Sequence, residues 1–305
     1  MIKRTITIIA AILAITPISA QTFNDMPSKW KWLDNRQVIF SFDGTFTDST
    51  AFVVDAPTGR RRTGIYAPEK YADFPIKPEG AVNLTYSPDS TLLAYTRDND
   101  LYVTDIATGV ETRLTFDGTD LILNGYASWV YYEEIFGRPS RYRAFWWSPD
   151  SRKIGFYRFD NTGTPLFPIY SAKSDDGSSG GSLKETRYPK AGQANPQVRI
   201  GMIDLSRLCD GKMETVWADF DEHLDQYFGT PFWGPDSKEF FISRMPRLQN
   251  TLDLYSVNVE DGSKTHIYHE QYSTWIDWMN DVIFTDKGLY MVRNFESSWQ
   301  QIYSL

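Results

Sequence analysis

The chain has 305 residues, with 31 Lys and Arg against 39 Asp and Glu, for a formal net charge of −8. That excess of acid disfavours nucleic acid as a partner. An apolar fraction of 41%, with 15% aromatic and 23% charged residues, excludes disorder, collagen and coiled coil and leaves one large globular domain or two ordinary ones.

Met1 to Arg4 is a short basic start, Thr5 to Ile18 is apolar, and Ser19-Ala20 supplies small residues at a cleavage point before Gln21. Residues 1–20 therefore read as a secretory signal peptide, the apolar stretch being shorter than the ~20 residues that span a bilayer. Its removal takes away Lys3 and Arg4 and no acid, leaving 285 residues with a net charge of −10. No later segment is apolar enough to span a membrane. One cysteine, Cys209, cannot form an intrachain disulfide, and export with a lone cysteine predicts a bacterial periplasm or outer surface.

From residue 21 onward short apolar stretches alternate with turn residues, and no long 3.6-residue period appears. Val38 to Phe42, Leu92 to Thr96, Leu101 to Val103, Lys153 to Tyr157, Phe240 to Ser243 and Leu254 to Val257 suit strands, being rich in β-branched and aromatic residues. Three copies of an aromatic-small-Pro-Asp-Ser motif precede strands: Tyr86 to Ser90, Trp147 to Ser151 and Trp233 to Ser237. Pro presets φ for a tight turn and Asp bonds the backbone beyond it, so each copy marks a strand-turn-strand corner whose leading aromatic packs between sheets. Looser copies begin at Trp32 and Trp278, and successive heads lie 54, 61, 86 and 45 residues apart. Blade-sized steps with irregular insertions predict a β-propeller, with a β-sandwich as the alternative. The longest step holds an insertion whose centre, Lys173 to Glu185, reads as a hydrophilic loop without packing residues.

The segment densest in chemistry is Asn124 to Phe136, where Glu133 and Glu134 are bracketed by Trp129, Val130, Ile135 and Phe136. Two fixed carboxylates at a cavity wall suit a cationic amine; on residues alone, a solvated acidic edge is the competing reading.

Trp129-Val130-Tyr131-Tyr132-Glu133-Glu134-Ile135-Phe136 resembles the Trp-Val-Tyr-Glu-Glu-Glu-x-Phe segment of the dipeptidyl peptidase IV family, serine exopeptidases of the prolyl oligopeptidase class. Phe145 to Asp150, Thr164-Pro165-Leu166, Tyr188 to Gly192 and Asn195-Pro196 follow in the family's order, and Trp275-Ile276-Asp277 and Ile302-Tyr303 are similar to a later blade. The resemblance implies about five blades' worth of an eight-bladed, here unclosed, all-β propeller over residues 21–305, with a short helical segment carrying the Glu pair. By position, Glu133 and Glu134 inherit the binding of the substrate's free amino group, which makes the propeller a ruler that releases dipeptides. Tyr132 stands at the first of the three acid positions. The family's propeller arginine belongs in Ile39 to Asp55, which contains no Arg, and Arg60, Arg61 and Arg62 read as a turn.

The family's hydrolase domain and its Gly-Trp-Ser-Tyr-Gly-Gly nucleophile motif are absent from these residues. Gly177 to Gly181 spells a nominal G-x-S-x-G, but Ser179 lacks the buried strand and following helix that a nucleophile elbow needs. His223 precedes Asp225 at short range and reads as a surface histidine. His266 and His269 with Glu270 are metal-ligand types, yet strand alternation around Ile267 and Tyr268 puts the two histidines on different faces, so neither metal nor cofactor is expected. The expectation is an amine-binding propeller without a catalytic triad; the alternative is a non-catalytic secreted propeller that binds a protein or peptide. The partners implied are a peptide amino terminus, a hydrolase domain or second chain that completes the enzyme, and a further copy of this chain at an unpaired sheet edge.

Overall fold

The β-branched and aromatic runs form strands of three to eight residues that return on themselves through tight turns. A computed structural model describes residues 29–32, 37–41, 51–55, 61–63, 78–174, 177, 180–206, 213–279, 282–285, 288–295 and 299–305. Residues 1–75 and 76–305 form two separate units. The proposed signal peptide, Cys209 and Ser179 lie outside the described residues.

In the first unit, β1 (Lys29–Trp32), β2 (Gln37–Ser41), β3 (Ala51–Asp55) and β4 (Arg61–Thr63) make one antiparallel sheet in chain order. Val38, Phe40, Phe52 and Val54 form its buried cluster, and Phe40 stacks on Phe52 at 5.3 Å. Arg61 and Arg62 are paired to Val54 and Val53 on β4, so they belong to an edge strand and not to the expected turn.

The second unit repeats that meander. β5 (Val82–Tyr86), β6 (Leu92–Arg97), β7 (Asp100–Asp105) and β8 (Glu111–Arg113) form a four-stranded sheet. β10 (Phe145–Trp147), β11 (Lys153–Asp160), β14 (Gln197–Asp204) and β15 (Thr215–Trp217) form the next, with β9 (Ile122–Asn124) pairing the far end of β11. β16 (Gln226–Phe228) and β17 (Phe232–Trp233) both pair β18 (Glu239–Pro246), followed by β19 (Thr251–Asn258) and β20 (Lys264–Gln271). β21 (Val282–Thr285), β22 (Gly288–Arg293) and β23 (Gln301–Ser304) make a three-stranded sheet. Consecutive antiparallel meanders, each a separate sheet, are the blade order of a propeller; the sheets are not closed.

Between β11 and β14, the strands β12 (Leu166–Ser171) and β13 (Ser182–Arg187) form a ribbon of their own. The insertion expected as a hydrophilic loop through Glu185 is thus strand from Ser182 onward. Ile169 pairs with Lys184 and Tyr170 with Leu183, cross-strand partners that composition alone did not disclose.

Packing between sheets explains why the aromatic heads are present. Phe145, Ile154 and Phe156 pack on Ala94, Leu101 and Val103; Tyr157, Phe159 and Ile200 pack on Phe228, Phe240 and Val257. Gly155 is the residue that permits the second contact, because a Cβ there would lie 2.5 Å from the Phe240 ring. The Pro-Asp-Ser corners link one sheet to the next. The indole N–H of Trp147 donates to the Thr85 carbonyl at 3.1 Å, and that of Trp233 donates to the Trp146 carbonyl at 3.0 Å. In parallel, the Asp89 N–H donates to Ser151 Oγ at 3.0 Å and the Asp150 N–H to Ser237 Oγ at 3.1 Å. Ser90, Ser151 and Ser237 share a left-handed φ of 61°, 63° and 61°, so the motif repeats in backbone shape as well as in sequence.

β20 holds a third correction. Tyr255 pairs with His266 while Leu254 pairs with Tyr268, leaving Ile267 as the extra residue of a β-bulge. Residues three apart on a regular strand face opposite ways, but one bulged residue restores the parity. His266 and His269 therefore share a face. Glu270 does not share it: its carboxylate is buried and bonded to Arg293 at 2.7 Å and to the Tyr268 hydroxyl at 2.8 Å.

Candidate functional site: a pinned carboxylate pair

The inner edge of the third sheet is broken into β9 and β10, and the 20 residues between them carry Glu133 and Glu134. Tyr131–Ile135 form one turn of π-helix, closed by the Phe136 N–H donating to the Tyr131 carbonyl at 2.8 Å, after the Tyr132 N–H has donated to Ser128 at 3.0 Å. Such single-turn π geometry is frequent at functional sites. The wide turn sends Tyr131 and Phe136 inward together. Tyr131 is fully buried and meets Phe159 edge-on at 4.8 Å, and Phe136 meets Trp146 at 5.4 Å.

One hydroxyl anchors the turn to the next sheet: the Phe228 N–H donates to the Tyr131 hydroxyl at 3.1 Å. Burial pushes the Tyr131 phenol well above its ordinary range, so it stays neutral. On the other side, Tyr132 stacks on Tyr142 at 3.7 Å and Tyr142 on Tyr126 at 4.9 Å. Burial first, then the neighbouring Tyr126, Tyr132 and Glu133 charges, push the Tyr142 phenol up to about 12. Arg141 and Tyr142 both have left-handed φ, 50° and 69°, a conformation that non-glycine residues adopt at a cost and that clusters at functional sites.

With its inner face packed, the turn presents its carboxylates outward. The Glu133 side chain keeps 16% of its surface exposed, whereas Glu134 is exposed. The Glu133 carboxylate is occupied by Arg138, whose Nε donates at 2.8 and 2.9 Å to its two oxygens and whose Nη2 adds a further contact. The Arg138 side chain remains 73% exposed. No hydrogen bond from a described residue reaches the Glu134 carboxylate. The site thus holds two acids on one packed turn, one of them engaged by the long, exposed side chain of Arg138 and the other without a hydrogen bond from a described residue.

One further motif reaches this turn. Trp129 meets Tyr188 edge-on at 4.4 Å, Tyr188 meets Phe167 at 5.3 Å, and the Lys190 ammonium lies 4.6 Å from the Phe167 ring centre, so the Tyr-Pro-Lys motif buttresses the Glu segment from the root of the ribbon. Arg143 follows on the other side of the Tyr142 backbone, half-buried, with its guanidinium 3.4 Å from Thr85 Oγ1 and lowered from its ordinary value by burial.

The His223–Asp225 candidate does not assemble. Asp225 is taken by Arg247 at 3.1 Å and Asn195 at 3.3 Å, while His223 is exposed beside Gln197, so these two residues are engaged elsewhere. Arg138 was not singled out by sequence reasoning; it opens the 3-10 turn Arg138–Ser140 after Gly137, whose φ of 78° breaks the helix and turns the chain back toward Glu133.

The comparisons with known proteins bear on this architecture. Residues 53–305 match the family model for the dipeptidyl peptidase IV (DPP IV) N-terminal region. Dipeptidyl peptidase 4 of Trichophyton tonsurans is 31% identical over 251 residues, which are 77% of this chain and 31% of that protein. Dipeptidyl peptidase 4 of Felis catus is 39% identical over 132 residues, 43% of this chain and 17% of that protein. The crystal structure of Porphyromonas gingivalis dipeptidyl peptidase 4 superposes with a TM-score of 0.63 at 20% identity, covering 91% of this chain and 36% of that one, a likeness of fold. The chain spans about a third of the length of these first-matched relatives. Its blade order and the family match over 53–305 agree, and the chain belongs to the dipeptidyl peptidase IV N-terminal region family.

Proposed function

We propose that this chain is the substrate-gating, amine-binding propeller portion of a dipeptidyl-peptidase-IV-like exopeptidase, and that Glu133 and Glu134 receive the free amino group of a peptide. The observation that carries the reading is the pinned turn: two carboxylates held on a packed aromatic base, with a cation already seated on one of them. An ammonium needs acceptors fixed within hydrogen-bond distance, and a rigid turn provides them without further ordering cost. Fixing the amine fixes which peptide bond lies at a given distance from it, the property that lets a binding site set product length.

These residues supply recognition and no bond cleavage; hydrolysis is assigned to a hydrolase domain acting with the propeller. In the same reading the chain is exported through residues 1–20 to a periplasmic or extracellular space. Among the described residues no helix is long and apolar enough to cross a membrane.

Ligand-observed NMR titration of the chain with an X-Pro peptide tests the reading. Binding of the free-amine peptide, with loss on acetylation of its amino end and on combined Glu133→Gln and Glu134→Gln, is the expected result. Equal binding of free and acetylated peptides would overturn it in favour of a general protein-binding propeller, and X-Pro cleavage by the isolated chain would overturn the division of labour.

A further inference from the structure

The bulge at Ile267 creates a feature that amine binding does not use. His266 Nε2 lies 3.0 Å from Asp253 Oδ1, and His269 Nδ1 lies 2.7 Å from the same oxygen. One ligand atom from each of the three residues falls within 4.8 Å of the others. Asp253 is buried, at 7% exposure, while the imidazoles are about half exposed, 46% and 51%. The group thus has a fixed carboxylate floor and two accessible nitrogen donors, on the outer strands of one blade.

We propose that Asp253, His266 and His269 form a binding site for a divalent transition-metal ion, with Zn2+ as its natural probe, that clamps β20 to β19.

Three observations support it. First, the donor set matches the ion class: two imidazoles and one carboxylate suit zinc and its neighbours, whereas calcium and magnesium prefer all-oxygen shells. Second, both imidazole-to-carboxylate separations are near those of a coordinated set, and the two imidazole nitrogens lie within 4.8 Å of each other. Bonds of about 2.0–2.1 Å in a tetrahedron hold ligand atoms about 3.3 Å apart, so the 2.7 and 3.0 Å contacts need to open by only tenths of an ångström. Third, the carboxylate is oriented from behind. Arg244 Nη1 stands 3.5 Å from Asp253 Oδ2 and its Nε donates to Gln226 at 2.7 Å, which leaves Oδ1 facing the imidazoles, as an outer shell positions a metal ligand.

Coordination requires each facing nitrogen to offer a lone pair, so His266 carries its proton on Nδ1 and His269 on Nε2 in the bound state. Three protein ligands leave a fourth position to water. Because the ligands come from two strands, binding stabilises that strand pair by linkage.

The test is equilibrium dialysis and calorimetry of the untagged full chain with Zn2+ alone, with Co2+ absorption as the geometric readout. The expected result is one equivalent bound, a tetrahedral Co2+ spectrum, and at least a tenfold loss of affinity in each of His266→Asn and His269→Asn. Both histidines are exposed, so these variants keep the fold, and circular dichroism verifies it. Unchanged Zn2+ binding in either variant, or wild-type binding no tighter than that of the double variant, overturns the proposal and leaves a hydrogen-bonded His–Asp–His cluster only.

Discussion

The two acids of the proposed amine site are not equivalent, and their difference can be measured. Glu133 is largely enclosed, at 16% side-chain exposure, while Glu134 is exposed. A charge-assisted hydrogen bond in a partly desolvated position contributes about 1.5–3 kcal/mol, and a surface ion pair about 0.2–1 kcal/mol. Since about 1.4 kcal/mol is tenfold in affinity, Glu133→Gln is expected to weaken binding of a free-amine peptide by about 10- to 150-fold and Glu134→Gln by about two- to fivefold. Arg138 modifies this order, because it sits on Glu133 and a ligand amine must share or displace it. Its side chain is 73% exposed and free to swing outward, so Arg138→Ala is expected to strengthen amine binding by about two- to fivefold, the size of a surface pair. The assay is NMR titration of free and acetylated peptides against the four proteins. A larger loss in Glu134→Gln than in Glu133→Gln, together with weaker binding in Arg138→Ala, would refute the argument and make Arg138 a permanent part of the turn.

Other expectations follow from the same contacts. Tyr131→Phe leaves the buried Phe228 N–H without its acceptor and should cost about 1–3 kcal/mol, read as a lower denaturation midpoint at unchanged slope; a cost under about 0.5 kcal/mol would mean the N–H finds another partner. Ser237→Ala removes the acceptor of the Asp150 N–H and Trp233→Phe the donor to Trp146, each about 1 kcal/mol; since both bonds join the same two sheets, the double variant should depart from additivity, and strict additivity would show the two links to be independent. The Ser87 hydroxyl and the Thr91 N–H hold the Asp89 carboxyl down from 3.8 to about 2. A depressed folded value stabilises above the unfolded pKa and is lost as pH falls toward the folded one. The pH-dependent part of the Ser87→Ala destabilisation should therefore be present at pH 5 and vanish by about pH 2 in paired melts, and a difference that is constant with pH would remove the assignment.

The blades were legible because their information is local. A Pro-Asp-Ser corner is written in five consecutive residues, and the strand that follows it is a run of β-branched and aromatic side chains. The same corner also joins neighbouring sheets, and that part was hidden: Asp89 donates to Ser151 and Asp150 to Ser237, partners 62 and 87 residues away. Each serine reads locally as an ordinary turn residue. Arg61 and Arg62 were misplaced for a related reason, since three successive cations lack the apolar alternation of a strand, yet an edge strand needs only backbone partners, here Val53 and Val54.

At the proposed amine site, the Glu pair and its aromatic brackets were visible as composition, and what they lacked was a period. A helix of ordinary pitch pairs residues four apart, whereas the Tyr131-to-Phe136 bond spans five, and the Glu133-to-Arg138 pair reaches across the helix break at Gly137. An extra residue in the turn converts an acidic edge into a packed base with outward acids, and the break at Gly137 brings back an arginine that helical spacing ignores. The same arithmetic governs the histidines of β20, where alternation by two separates His266 from His269 and one bulged residue reunites them over Asp253. In both places a one-residue departure from regular geometry decides which side chains meet. Such departures are set by the partner strand or the packed core, so the residue types were readable in the chain while their meeting was not.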